Sequence, residues 1–151
     1  MAMGLEEHDG VTRLARAGEY WRVHVGVDER FAFGQEHTRT KYVIVQRDVI
    51  EAEHMVPCWI CTRYEPAKHD QWIDAGADFR TVAMLDDGSE VDLAIDLMKP
   101  ISFDADWFRS TSTRAARCGR IEPVAAASCL AQQAVVMSYV SLEIRALDEG
   151  R

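Results

Sequence analysis

No apolar run in this chain approaches the roughly 18–20 residues that a helix needs to span a bilayer, so the sequence offers no membrane partner. The opening stretch, MAMGLEEHDG, is acidic and has no apolar core of the signal-peptide kind, and a cytoplasmic protein is expected. Cysteine is scarce. Of the four, Cys58, Cys61, Cys118 and Cys129, two lie in apolar segments, and reduced thiols fit better than a secreted disulfide framework. Positive charge is in deficit: 17 Lys+Arg stand against 25 Asp+Glu, a net charge of −8. Such a chain repels phosphate overall, so a nucleic-acid partner requires cations clustered locally. The densest clusters are Arg39–Arg47 and Arg109–Arg120, the latter with Arg109, Arg114, Arg117 and Arg120 and no acid among them. There is no internal repeat and no low-complexity tract. What remains, 48% apolar and 28% charged over 151 residues, is the composition of one globular domain with a real core.

The hydrophobic pattern divides the chain. Residues 1–17 read as a leader in which Val11–Ala17 forms a helical turn or two before Gly18. Glu19–Val27 alternates, with Trp21, Val23, Val25 and Val27 on one face and Tyr20, Arg22 and His24 on the other. Asp28–Thr38 reads as a long exposed loop. Lys41–Gln46 and Met55–Cys61 read as strands and Glu65–Gly76 as a second loop. Phe79–Leu85 and Val91–Met98 flank Asp86-Asp87-Gly88-Ser89, a hairpin signal. In the second hairpin strand Val91, Leu93, Ile95 and Leu97 face one way and Asp92 and Asp96 the other, and Pro100 is expected to end it. Barrel strands thus fill 19–98. Residues 104–121 read as a short helix capped by Asp104, through Trp107 and Phe108, followed by a basic loop. Pro123 opens a long helix over 123–147, apolar on more than one stripe, as in helices that pack on a sheet and on a partner. The fold expected is mainly β with α: a small barrel with a covering C-terminal helix.

The stretch from Gly34 to Thr62 carries the chemistry. Two apolar runs, Tyr42–Val45 and Val56–Ile60, are joined by a polar link, with Arg39 and Lys41 leading into the first and Thr62 ending the second. As neighbouring strands they bring a cation and a hydroxyl to one surface, a way to hold a phosphodiester without a metal. Equally, Arg39 and Lys41 read as a solvated strand lead-in and Thr62 as an ordinary strand residue. Cys58-Trp59-Ile60-Cys61 has redox or zinc spacing, but residues three apart in a strand point to opposite faces and cannot chelate or bridge. Asp104 and Asp106 could pair on a metal, though a helix cap explains Asp104 as well. His24, His54 and His69 have no second ligand at convincing spacing. No metal and no cofactor is expected. Trp21, Trp59 and Trp107 read as core, while Trp72, in a polar segment, could stack on a base.

In order along the chain, these segments resemble the MazF/PemK (Kid) family of toxin endoribonucleases. The resemblance rests on Arg16-Ala17-Gly18-Glu19-Tyr20-Trp21, on the loop Gly34-Gln35-Glu36-His37 followed by Thr38-Arg39-Thr40-Lys41 and Tyr42–Val45, and on the strand ending Cys61-Thr62. Further on it rests on Asp96-Leu97-Met98-Lys99 with Asp104–Phe108, and on Gly119-Arg120-Ile121-Glu122-Pro123. The family's Arg-Pro pair is absent: strand alignment puts Thr40 and Lys41 there, and Arg39 serves only with a one-residue shift, which would turn its side chain to the other face.

The resemblance implies an SH3-like barrel of about five to seven strands, acting as a homodimer and neutralised by an antitoxin protein. It implies metal-independent cleavage of single-stranded RNA by attack of the 2′-OH, leaving a cyclic phosphate and a 5′-OH. Arg39, with Lys41 in reserve, would stabilise the phosphorane charge, Thr62 would donate to a phosphate oxygen, and Glu36 or His37 would move protons. Arg114, Arg117, Trp72 and Lys99 would line the RNA path. The alternative is a non-catalytic acidic protein on the same barrel, an inhibitor that occupies a partner's nucleic-acid site, which the net charge and the missing Arg-Pro pair favour. A third reading is an unrelated small barrel.

Overall fold

The computed structural model describes residues 10–26 and 39–149, with 139–149 described by backbone alone. Its strands are β1 (Arg13–Ala15), β2 (Glu19–Val25), β3 (Arg39–Val45), β4 (Val49–Ile50), β5 (Met55–Arg63), β6 (Asp78–Leu85), β7 (Glu90–Asp104) and β8 (Ala115–Ile121). The described residues also form two helices, α1 (Pro66–Asp74) and α2 (Pro123–Glu149), and a 3-10 turn at Ala105–Phe108. Six strands close an antiparallel barrel in the order β2-β3-β5-β7-β6-β8, and β1 and β4 pair as a separate ribbon. The chain is therefore mainly β, a small barrel ending in a long C-terminal helix. Among the described residues no helix is long and apolar enough to cross a membrane.

The strands bury two layers because their apolar residues occupy both faces. Tyr20, Ile44, Trp59, Cys61, Ala83, Leu93, Ile95, Leu97 and Ile121 draw on every strand of the barrel and fill its interior, which Ala126 and Cys129 of α2 complete. The opposite faces of β2, β3 and β5 supply Trp21, Val23, Val43, Val45, Val56 and Cys58 to a second cluster, closed by Val49 of β4 and by Phe103, Ala105 and Phe108. The face assignment expected for β2 holds over Glu19–Val25, Val27 lying outside the described residues, and so does the separation of Cys58 from Cys61, which lie in different clusters. Burial pushes the Cys58 thiol up to about 12 and the Cys61 thiol higher still, so neither is a nucleophile at neutral pH. Burying each of the larger side chains, Trp59 or Leu93 for example, stabilises the fold by roughly 1.5–3 kcal/mol.

Several expectations are corrected. The N-terminal segment forms strand β1, not a helical turn, because Arg13 and Ala15 find backbone partners at Ile50 and Val49. The loop expected at Glu65–Gly76 is helix α1, opened by Pro66 and followed by Gly76 at φ 82°. β7 does not stop at Pro100 but runs to Asp104. Beyond Asp96 it pairs with β5 alone, and Pro100 sits opposite Trp59, beside the bulge between Trp59 and Cys61, where a missing N–H is tolerated. The basic loop expected before residue 121 is largely strand β8, which closes the barrel by pairing with both β2 and β6. The 3-10 turn is capped as expected, Asp104 Oδ1 accepting from the Asp106 N–H at 2.9 Å. The loop expected at 28–38, including Glu36 and His37, lies outside the described residues.

Candidate functional site

A cleft of about 490 Å³ opens on the outer surface of β5, β7 and β6, with α1 along one side. Its floor is laid by Thr62 of β5, Ala94 and Asp96 of β7 and Asp78 of β6, and Lys99 lies at its edge. Its wall is Lys68, His69 and Trp72 of α1. The strands set this arrangement: Thr62 pairs with Ala94, and Asp78 pairs with Asp96. Strand partners directly opposite point to the same side, so the two carboxylates stand side by side.

The chain leaves β5 at Arg63 and turns straight into α1. Glu65, the residue before the helix, makes no side-chain cap. His69 takes that place: the Glu65 N–H donates to His69 Nδ1 at 2.9 Å. The opposite ring nitrogen, Nε2, is 3.1 Å from Thr62 Oγ1. With Nδ1 accepting, the neutral ring carries its proton on Nε2 and donates to Thr62, which leaves the threonine O–H free to donate into the cleft. The Glu65 carbonyl oxygen lies 3.1 Å from Nδ1, so a protonated ring also finds an acceptor. The helix is held further by a hydrogen bond from the Tyr64 hydroxyl to Asp70, with the Arg80 guanidinium stacked 3.8 Å from the centre of the Tyr64 ring.

Asp78 is 9% exposed, the sole buried charged side chain among the described residues. None of those residues donates a hydrogen bond to its carboxyl. Its pKa is raised above the ordinary carboxylate value, by burial first and then by the Asp96 charge, while His69 and Lys99 pull it back. Placing two like charges directly opposite in a sheet is unfavourable, and α2 clamps the backbones that impose it. Gln132 donates to the carbonyls of Gly76 (2.8 Å) and Asp78 (3.4 Å), and Gln133 donates to that of Leu97 (3.2 Å). A carboxyl perturbed by burial and by a specific charge partner, set in a cleft, is a candidate functional group.

The structure brings three of the residues singled out from the sequence, Thr62, Trp72 and Lys99, into one cleft. Trp72 is 51% exposed there. It does not bring Arg39, Lys41, Arg114 or Arg117 there, and Glu36 and His37 lie outside the described residues. Arg39 is exposed on β3 opposite Val25 and does not line the cleft. The β3–β5 ladder ends at Tyr42 and Cys61, one step short of Lys41 and Thr62, so Lys41 borders the strand that carries the threonine without lining the cleft. Arg114 lies 3.7 Å above the Trp107 ring and bonds to the His24 carbonyl. Arg117 is paired with Glu19 and Asp86. Sequence reasoning overlooked Asp78 and Lys68 and gave His69 no partner. The signal for His69 was its spacing of seven residues from Thr62 across a Pro-opened turn; Asp78 had none short of the hairpin register. Among the described residues no group of three or more His, Cys, Asp or Glu is placed to hold a metal ion.

No protein-family model and no curated protein matches the chain.

Proposed function

We propose that this protein is a MazF/PemK-like endoribonuclease that cleaves single-stranded RNA by 2′-OH attack, with the β5–β7–β6 cleft as its reaction site. The observation that carries the reading is the facing pair Asp78 and Asp96, set beside a threonine hydroxyl, a histidine and two lysines. Cleavage of this type needs a base for the 2′-OH, an acid for the leaving oxygen, and donors for the charge on phosphorus. Asp96 takes the 2′-OH proton as the O2′–P bond forms. Asp78, the carboxyl whose pKa is raised by burial and by Asp96, gives its proton to the 5′ oxygen as the P–O5′ bond breaks. The Thr62 hydroxyl and the Lys99 ammonium meet the phosphorane oxygens, and Lys68 adds charge from α1. Trp72 stacks a neighbouring base. His69 orients Thr62 and supplies a proton site at its Nε2.

The same reading carries a homodimer and a neutralising antitoxin as partners, and supporting it, Val124, Leu130, Val135 and Met137 leave α2 with an exposed apolar surface. The alternative, a non-catalytic acidic protein that occupies a partner's nucleic-acid site, draws its support from the net charge of −8. Product ends separate the two. Purified protein incubated with single-stranded RNA in EDTA is expected to give fragments ending in a cyclic phosphate and beginning with 5′-OH. RNA left intact at high protein concentration would sink the catalytic reading.

A further inference from the structure

Outside the cleft, one surface of the barrel combines an exposed aromatic ring with arginines that no carboxylate neutralises. On β2 and β3, Tyr20 and Ile44 point into the barrel interior, and one step further along the same face Arg22 and Tyr42 stand directly opposite each other. Tyr42 is 39% exposed although it lies on an inner strand, between β2 and β5. Its ring stacks on Tyr20 with centroids 5.6 Å apart, which holds one side fixed and turns the other to solvent. Across the other ladder Tyr42 faces Cys61, and Arg63, two residues on, returns to the same side of the sheet. Arg63 is near enough for its charge to oppose the rise that burial causes in the pKa of the Tyr20 hydroxyl. Arg22 and Arg63 are both exposed.

In a chain of net charge −8, several guanidiniums are neutralised. Arg13, Arg47, Arg80, Arg109 and Arg117 each have a carboxylate partner. Among the described residues Arg22 and Arg63 have none. An immobilised ring flanked by unpaired cations is the arrangement that binds single strands, since every base has a face to stack and every link a phosphate. A duplex offers no free base face to such a ring.

We propose that Tyr42, Arg22 and Arg63 form a binding site for single-stranded RNA, in which Tyr42 stacks one base and the two arginines hold the phosphates on either side of it. The site rests on the RNA reading of the cleft and extends it. Arg63 and Thr62 are consecutive on β5, facing opposite sides of the sheet, so a strand that rounds the end of β5 meets the holding site and the reaction site in turn.

The test is fluorescence anisotropy of a labelled single-stranded RNA carrying 2′-O-methyl groups, which binds but cannot be cut by 2′-OH attack, measured over a salt series. Tyr42→Leu is expected to weaken binding by roughly tenfold or more, the loss of one stacked base. The double variant Arg22→Gln/Arg63→Gln is expected to weaken it and to lower the log–log salt slope by about 1.4, about 0.7 for each phosphate released. It keeps the stacked tyrosines, so it tests the site even if Tyr42→Leu fails to fold. Affinity and slope unchanged in the folded double variant would overturn the proposal. The two readings also fail separately. Binding that depends on Arg22 and Arg63 in a protein that never cuts unmodified RNA would contradict the catalytic reading alone. Cutting of RNA that is indifferent to these substitutions in both affinity and rate would contradict the holding site alone.

Discussion

Asp78 carries an energetic cost that the fold does not need. Its pKa is raised on folding, by burial and by Asp96. A group raised in this way stabilises the folded state below the ordinary carboxylate range and loses that contribution as pH rises through its folded value. At neutral pH the buried carboxyl is therefore a net cost, whether it ionises or takes up a proton, and Asp78→Asn should raise the melting temperature at pH 7 by about 2–4 °C, the effect of roughly 1 kcal/mol in a chain of this size. At pH 3 wild type and variant should melt together. A lower melting temperature for Asp78→Asn at pH 7 would show that the carboxylate is structural. Thr62→Val keeps the shape of its site and removes the hydroxyl that His69 orients. It should lower RNA cleavage by about 100-fold, the usual loss for one donor to a developing oxyanion, with binding of uncleavable RNA unchanged. Thr62, Trp72 and Lys99 were legible in the sequence because each is a conspicuous residue type beside a strand or in a polar segment. Asp78 was not, because the sequence shows an isolated aspartate, and its chemistry arises only when the β6–β7 register sets it against Asp96.

At the scale of the element, the parts read correctly were those whose burial pattern follows their period. β2 alternates, β7 places Leu93, Ile95 and Leu97 inward, and Pro123 opens α2. α1 escaped notice because it buries no residue, so the apolar periodicity that announces a helix is missing; Pro66 and Gly76 were its remaining signals. β8 escaped because most of its residues are small or arginine, and small residues leave little hydrophobic signal. Gly119 explains that composition. It pairs with both Leu85 and Tyr20, and a Cβ there would fall on the Met84 carbonyl oxygen, with the Leu85 Cα at 2.8 Å. At this position the strands approach too closely for a side chain. Gly119→Ala should therefore open the β6–β8 seam and destabilise the barrel by roughly 3 kcal/mol, at the upper end of overpacking costs, seen as a lower urea midpoint. A midpoint equal to wild type would show that the seam has slack.

For the whole molecule, the strand order of the barrel decides which side chains meet at the cleft. It sets β5, β7 and β6 side by side, which assembles Thr62, Asp96 and Asp78 from three separated stretches of chain, and it leaves α1 to wall the cleft with His69 and Trp72. It also distributes charge. Among the described residues, Lys99 at the cleft and Arg22 with Arg63 beside Tyr42 are cations without a carboxylate partner. The central claim, that this cleft cuts RNA, meets its most direct test in single-turnover cleavage of single-stranded RNA in EDTA by wild type and Asp78→Asn side by side. The account predicts cutting by wild type and a rate at least about 100-fold lower for the folded variant, the contribution of a general acid. Equal rates for the two proteins, or RNA left intact by wild type, would contradict it.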